Sequence, residues 1–361
     1  MGGARDQFLD IAKGIAIMLV ILGHVLQGMR HDFDNWLAFK SVYSFHMPLF
    51  IFLSGAVTSL VPFQSVATDQ RAGTFWLTFL RAVQRSAPRL LLPFMSWTII
   101  GWYVNQREIV SLTDWLVKVY RSPDNSLWFL LLAFECLVLW RAWTCLRDAL
   151  RATIGPKLKR LAPVFDNDAL CAILFWLVMK LMVLRMLAGT PGIAFVGQYL
   201  IYFVSGLLFW KYGRGRLRGL SRLVPYAVFV ALVPFWHRTE PLMLPDIGPR
   251  ADGLFRYAVA LAGILVVLDV AAIIQRNGFH FIGQALAYCG VASLGIYAIH
   301  YYFLGTWPPF FAAMAGSLLT YAVLVRIPVV SLVLLGETIG ATKRHMSPAP
   351  SLANQPSVSR R

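Results

Sequence analysis

Apolar runs long enough to cross a bilayer follow one another from residue 8 to residue 335, and no polar block between them is large enough to fold alone. That pattern leaves few options. In hydrocarbon every backbone polar group must be satisfied within the chain, and apolar runs of about 20 residues achieve this as helices. The chain is 58% hydrophobic and only 14% charged, with mean hydropathy +0.63, where a soluble domain carries roughly a quarter charged residues. Its 12 Trp and 13 Tyr suit the aromatic belts of two membrane interfaces. The expected fold is all-α, a polytopic integral membrane protein.

Runs at 8–26, 43–61, 89–104, 126–146, 169–188, 193–211, 223–236, 254–274, 281–304 and 310–335 predict about ten transmembrane helices. The third and seventh are short and interrupted by Pro93 and Pro234. Gly189-Thr190-Pro191-Gly192 and Gly305-Thr306-Trp307-Pro308-Pro309 read as tight turns, and 114–120 as a segment lying at the interface. Lys and Arg gather in alternate loops, around 71–89, 141–160, 211–222 and beyond 342, which puts both termini in the cytoplasm. The same bias explains the net charge of +16, so no nucleic-acid partner is expected. Residues 1–341 form one transmembrane domain on this reading, and 342–361, rich in Pro and Ser, a disordered cytoplasmic tail.

Cys136, Cys145, Cys171 and Cys289 fall in apolar runs without Cys-x-x-Cys spacing and read as inert. The first run lacks a small-residue cleavage pattern after Gly28 and carries polar groups that a signal core avoids, so it is read as retained. Asp6 stands where a myristoylation pattern needs Ser or Thr.

The first run holds more than an anchor requires. Asp10 and Lys13 lie near its start and His24 near its end. Lys13 and His24, eleven residues apart, fall within about 20° of one helical face and roughly 16 Å apart along the axis. Ionisable groups in a bilayer are costly and face a partner or a cavity. His46, in Phe45-His46-Met47-Pro48-Leu49-Phe50, and His300, closing Ser293-Leu294-Gly295-Ile296-Tyr297-Ala298-Ile299-His300, are expected at the same outer depth as His24. One such histidine is an ordinary interfacial residue; three point to a site. Without a close pair on one helix they make a poor metal set, and no metal is expected.

The blocks Leu9-Asp10-Ile11-Ala12-Lys13-Gly14 leading to Gly23-His24, and Phe45-His46-Met47-Pro48-Leu49-Phe50-Ile51-Phe52-Leu53-Ser54-Gly55, resemble the acyltransferase-3 group of integral-membrane acyltransferases. The basic residues ahead of Leu90-Leu91-Leu92-Pro93, the stretch Leu127-Trp128-Phe129-Leu130 and the Ser293 to His300 stretch extend the resemblance across the transmembrane region. The Asp-x-x-Lys-Gly form is most similar to the fucose 4-O-acetylase-like branch. Many members carry Arg where this chain has Lys13, which keeps the cation but loses bidentate geometry. The resemblance implies O-acylation of an envelope or exported carbohydrate from acyl-CoA, with acetyl-CoA as donor substrate. It also implies a multi-pass location in the cell membrane, the inner one in a Gram-negative source.

Acyl transfer to a hydroxyl needs a base near neutrality, and His24 is the candidate, as general base or as acyl acceptor. Glu135 lies mid-span, seven residues after Trp128, placed to orient an imidazole or to pair with Lys180. Arg81, Arg85 and Arg89 recur every four residues, within about 80° of one another on a helix, and with Lys13 are the expected contacts for CoA phosphates. Asp10, His46, Trp128 and His300 are assigned to substrate binding. The competing reading is a transporter or flippase for a glycan or lipid-linked intermediate, which the intramembrane charges also suit.

Overall fold

In the computed structural model the described residues are 6–60, 72–123, 126–153, 166–186, 189, 192–213, 219–240 and 248–337. The first helix, α1 (Gln7–Met29), starts where the Asp6 carboxylate accepts the Phe8 N–H at 3.0 Å, satisfying one of the donors a helix start leaves open. Ile11, Ala12, Ala16, Ile17, Val20 and Ile21 are fully buried around it, so α1 is the central strut rather than a lipid-facing anchor. After the short turn Phe33–Asn35 come α2 (Leu37–Tyr43) and α3 (His46–Leu60), then α4 (Ala72–Asn105), α5 (Leu112–Arg121) and α6 (Trp128–Thr153). The second half runs α7 (Asp168–Val178), α8 (Ile193–Leu208), α9 (Val224–Leu232), α10 (Gly248–Arg276), α11 (His280–Val291), α12 (Ser293–Ile299) and α13 (Pro309–Leu324).

Two glycine crossings draw the polar helices together. A Cβ on Gly14 of α1 would strike the Leu286 carbonyl of α11, and one on Gly290 would strike the Asp10 carbonyl. At the second crossing Gly55 of α3 lies against the Phe203 carbonyl of α8, and Gly206 against that of Phe52. Small residues let helix backbones approach where no hydrophobic drive separates protein from lipid. An alanine at any of the four positions would overpack the contact at a cost of about 1–3 kcal/mol.

Five of the described helices are long and apolar enough to cross a membrane: Gln7–Met29, Leu37–Leu60, Trp128–Thr153, Ile193–Gly213 and Ala251–Arg276. A sixth is counted if His280–Val291 and Ser293–Phe303, bent by 65°, are one broken span. The expectation of ten is therefore corrected, and each shortfall has a local cause. The third expected span is the end of α4, a helix of 34 residues that runs through Pro88 and Pro93 and carries Arg81, Arg85 and Arg89, which dilute its hydropathy. The fifth is interrupted by the π-helical turn Met179–Val183, the seventh stops at the Pro234 turn, and the tenth ends at Leu324. Arg326, expected inside that last span, lies exposed beyond the helix end.

Pro93 also has a positive role. It removes the N–H that the Arg89 carbonyl would have accepted in the helix ladder, and Gly336, at φ +66°, packs directly on that carbonyl. Trp97 Nε1 donates to the Leu334 carbonyl at 2.8 Å, so the end of the bundle is fastened to α4 at the level of Arg89. The expected interfacial segment is α5, capped by Ser111 and tied down by Trp115 Nε1 donating to the Thr98 carbonyl at 3.0 Å. The expected tail, 342–361, lies outside the described residues.

Candidate active site

One end of α1 meets three other elements in a cluster of rings. His24 stacks on His300 with ring centroids 5.4 Å apart, and its Nε2 is 2.9 Å from the Tyr301 hydroxyl, with Nδ1 at 3.2 Å. Tyr43, at the end of α2, lies edge-on between His24 at 6.3 Å and His46 at 4.5 Å. Its hydroxyl donates to Gln27 Oε1 at 2.7 Å, one turn beyond His24 on α1. The three histidines expected at one depth are thus brought together.

Their tautomers follow from their partners. Nδ1 of His46 faces the Val42 carbonyl at 3.1 Å, and Nδ1 of His300 faces the carbonyls of Tyr297 at 2.8 Å and Ile296 at 3.2 Å. A carbonyl only accepts, so in both rings Nδ1 carries the proton and Nε2 keeps a lone pair. His300 is fully buried, and its Nε2 has no partner among the described residues. A neutral imidazole that presents a bare Nε2 suits a hydroxyl group, which brings the missing donor.

A cavity of about 380 Å³ leads toward this cluster. Lys13, Arg85 and Arg89 line it at one end, and Met47, Phe129 and Tyr297 at the other. Tyr297 is the link, its ring 6.0 Å from that of His300. On α3 the lining residues Met47, Phe50, Ser54, Val57 and Thr58 form one stripe, which eleven residues extend over roughly 16 Å. The cavity is therefore about as long as the separation of Lys13 and His24 along α1, with an apolar middle of Phe50, Leu53, Leu130 and Leu137. His24 itself does not line it. Lys13 lies 4.0 Å from Asp10, whose side chain is nearly buried.

Three expected site residues stand elsewhere. Trp128 stacks on Phe195 at 4.8 Å and meets Tyr199 at 5.3 Å, both on α8, while its neighbour Phe129 faces the cavity. Adjacent helical residues point about 100° apart, so only one of the two can face inward. Glu135 shares the Trp128 face and points with it toward the start of α8: its carboxylate abuts Gly192, and Oε2 is buried without a partner among the described residues. Lys180, its expected partner, donates instead to the Gly197 carbonyl at 2.9 Å. Arg81 is exposed and absent from the cavity wall, since eight residues carry it about 12 Å along α4 from Arg89.

Sequence reasoning missed Gln27, Tyr43, Tyr297 and Tyr301. The signal was local: Gln27 and Tyr43 are three residues from His24 and His46, and Tyr297 and Tyr301 flank His300. Among the described residues no group of three or more His, Cys, Asp or Glu is arranged to hold a metal ion.

The profile of the family Acyl_transf_3, described as an acyltransferase domain, matches residues 6–336. The chain is similar to nodulation protein NolL of Mesorhizobium japonicum, 35% identical over 147 residues, covering 39% of this chain and 36% of the relative. It is also similar to nodulation protein NolL of Sinorhizobium fredii, 42% identical over 137 residues, covering 35% of this chain and 33% of the relative. The matches thus span about a third of the length of these relatives. No solved structure matches the chain.

Proposed function

The chain belongs to the acyltransferase-3 family, and from that premise we propose that it is a membrane O-acyltransferase moving acetyl from acetyl-CoA to a hydroxyl of an envelope or exported carbohydrate. The observation that carries this reading is the cavity, with Lys13, Arg85 and Arg89 at one end and Tyr297, beside His300, at the other. Three cations suit the phosphates of CoA. An extended pantetheine arm is of the same order as the cavity's length, and the apolar middle excludes the water that would hydrolyse a thioester. We place the cationic end at the cytoplasmic face, where the donor is made, and the histidine end at the outer face.

In this account His24 is the base. The His24 imidazole, through the ring nitrogen that the Tyr301 hydroxyl leaves free, takes the proton of the acceptor hydroxyl as the oxygen attacks the thioester carbonyl carbon. A C–O bond forms, the tetrahedral intermediate collapses, and the C–S bond breaks. The CoA thiolate leaves and recovers the proton from the imidazolium. The Tyr301 hydroxyl holds the His24 ring in place, and the bare Nε2 of His300 and of His46 accept hydroxyls neighbouring the one that reacts. Lys13 serves the phosphates while Asp10 steadies it.

The test is transfer of label. Membranes holding the protein and an endogenous glycan, supplied with acetyl-CoA labelled in the acetyl group, should yield acid-stable labelled saccharide. Label that remains on CoA, in membranes that nevertheless move glycan across, would favour the transporter reading.

A further inference from the structure

Residues 233–240, after α9, fold back over the histidine end, and their course is fixed at several points. The buried ammonium of Lys40, on α2, donates to the Pro234 carbonyl at 2.8 Å and lies 3.0 Å from Nε2 of His237. Trp236 is buried in the same apolar cluster as Phe39 and Val42. Asp34, in the turn before α2, accepts from the N–H of Arg238 at 2.6 Å, the N–H of Thr239 at 2.9 Å and the Thr239 hydroxyl at 2.6 Å. Arg256 of α10 donates to the Glu240 carbonyl at 2.9 Å.

This clamping aims one side chain. The Arg238 guanidinium lies over the Tyr43 ring, 5.2 Å from its centroid, and Tyr43 is the ring between His24 and His46. Among the described residues the guanidinium has no carboxylate partner, and Asp34, which accepts the N–H of Arg238, is engaged with the backbone of this strap. A basic residue serving lipid headgroups extends away from the protein body to the interface. This one is held over an aromatic face, with its planar fork of donors left to an outside acceptor.

We propose that Arg238 is an anion-recognition element on the acceptor side, so that the acceptor carries a carboxylate or a phosphate ester beside the hydroxyl that reacts. The proposal rests on the acyl-transfer reading of the same site and adds the charge class of the acceptor. Arg238 binds that oxyanion in bidentate fashion and so fixes which hydroxyl reaches His24. Carboxylate and phosphate share this chemistry, and their sources differ: an acidic sugar in the first case, a sugar phosphate or lipid-linked diphosphate in the second.

The experiment measures binding of methyl glucuronide, glucose 1-phosphate and methyl glucoside to the full-length protein in nanodiscs of purely zwitterionic lipid. At least one anionic probe should bind roughly tenfold or more tighter than the neutral one, the size expected for a hydrogen bond to a charged group. Arg238→Gln should remove that preference, and Arg238→Lys should keep part of it. Which anionic probe wins identifies the source. Equal binding of all three, binding of none, or an equal loss for all three in Arg238→Gln would overturn the proposal, as would a preference that needs anionic lipid. Acetyl transfer to the same probes is read in parallel. Charge-selective, Arg238-dependent binding without any transfer would uphold this inference and remove the proposed function. Transfer without charge preference would do the reverse. A fall in kcat alike on neutral and anionic probes would assign Arg238 to the transition-state oxyanion and refute acceptor recognition.

Discussion

The two ends of the cavity hold their polar groups by different means. At the histidine end every ring is fixed by neighbours: His46 and His300 by carbonyls, Tyr43 by Gln27, and His24 by Tyr301 and the face of His300. At the cationic end Arg85 and Arg89 are exposed, and Lys13 stands 4.0 Å from Asp10 with its side chain 26% exposed. Proton transfer depends on sub-ångström placement, whereas a phosphate is held by charge and reach over a wider range of geometries. The difference teaches which end acts on rate and which on affinity.

The largest effect is expected where geometry is tightest. His24→Ala should lower kcat by roughly 10²–10⁴-fold, the usual worth of a positioned base, with acetyl-CoA binding unchanged in a filtration assay. Near-normal turnover would break the contrast at once, because a ring held by Tyr301 and by the face of His300 would then be idle. At the other end, Arg85→Ala should raise the KM for acetyl-CoA about tenfold or more with kcat nearly constant, as loss of uniform binding does. A lower kcat with unchanged KM would mean that the donor lies elsewhere. Tyr301→Phe sharpens the comparison within the histidine end. It removes one hydrogen bond and leaves the ring, so kcat should fall by about threefold to tenfold with both KM values intact.

The smallest effect concerns the strap above the histidines. Burial works to raise the Asp34 pKa, but the hydrogen bonds from Thr239 and from the N–H groups of Arg238 and Thr239 outweigh it and hold the carboxyl below its usual 3.8. A depressed carboxylate pKa stabilises the fold above the ordinary value, and that stability is lost as the pH falls through the folded-state value. Thermal unfolding should therefore separate wild type from Asp34→Asn at pH 6 by a small margin that narrows as the pH falls below the ordinary carboxyl value. A gap that does not narrow as the pH falls from 6 to below 3.8 would assign the effect to packing.

Much of this site is legible in the sequence because depth in a membrane is legible. The ends of apolar runs give the level of His24, His46 and His300, and helical arithmetic gives the alignment of Lys13 with His24. Rotation about a helix axis is not legible in the same way. Nothing within α6 says whether Trp128 or Phe129 faces the cavity; the packing of Trp128 on Phe195 and Tyr199 of α8 decides it, and Glu135 turns toward α8 with it. The span count fails for a related reason. A hydropathy run cannot tell a straight helix from one broken at Ala292 or interrupted at Met179. Arg238 reaches the site through Asp34, 204 residues earlier, a link that no local pattern announces.

On the proposed function, donor and acceptor approach opposite ends of one cavity, and only the acyl group crosses between them. Sealed vesicles of known orientation test it directly, with acetyl-CoA on one side and an impermeant saccharide acceptor on the other. Acetylation should proceed when acetyl-CoA is on the cytoplasmic side and the acceptor on the outer side, and should stop when the two are exchanged. If acetylation requires both substrates on the cytoplasmic side, the cavity is not the donor's path, and Lys13 is a structural partner of Asp10.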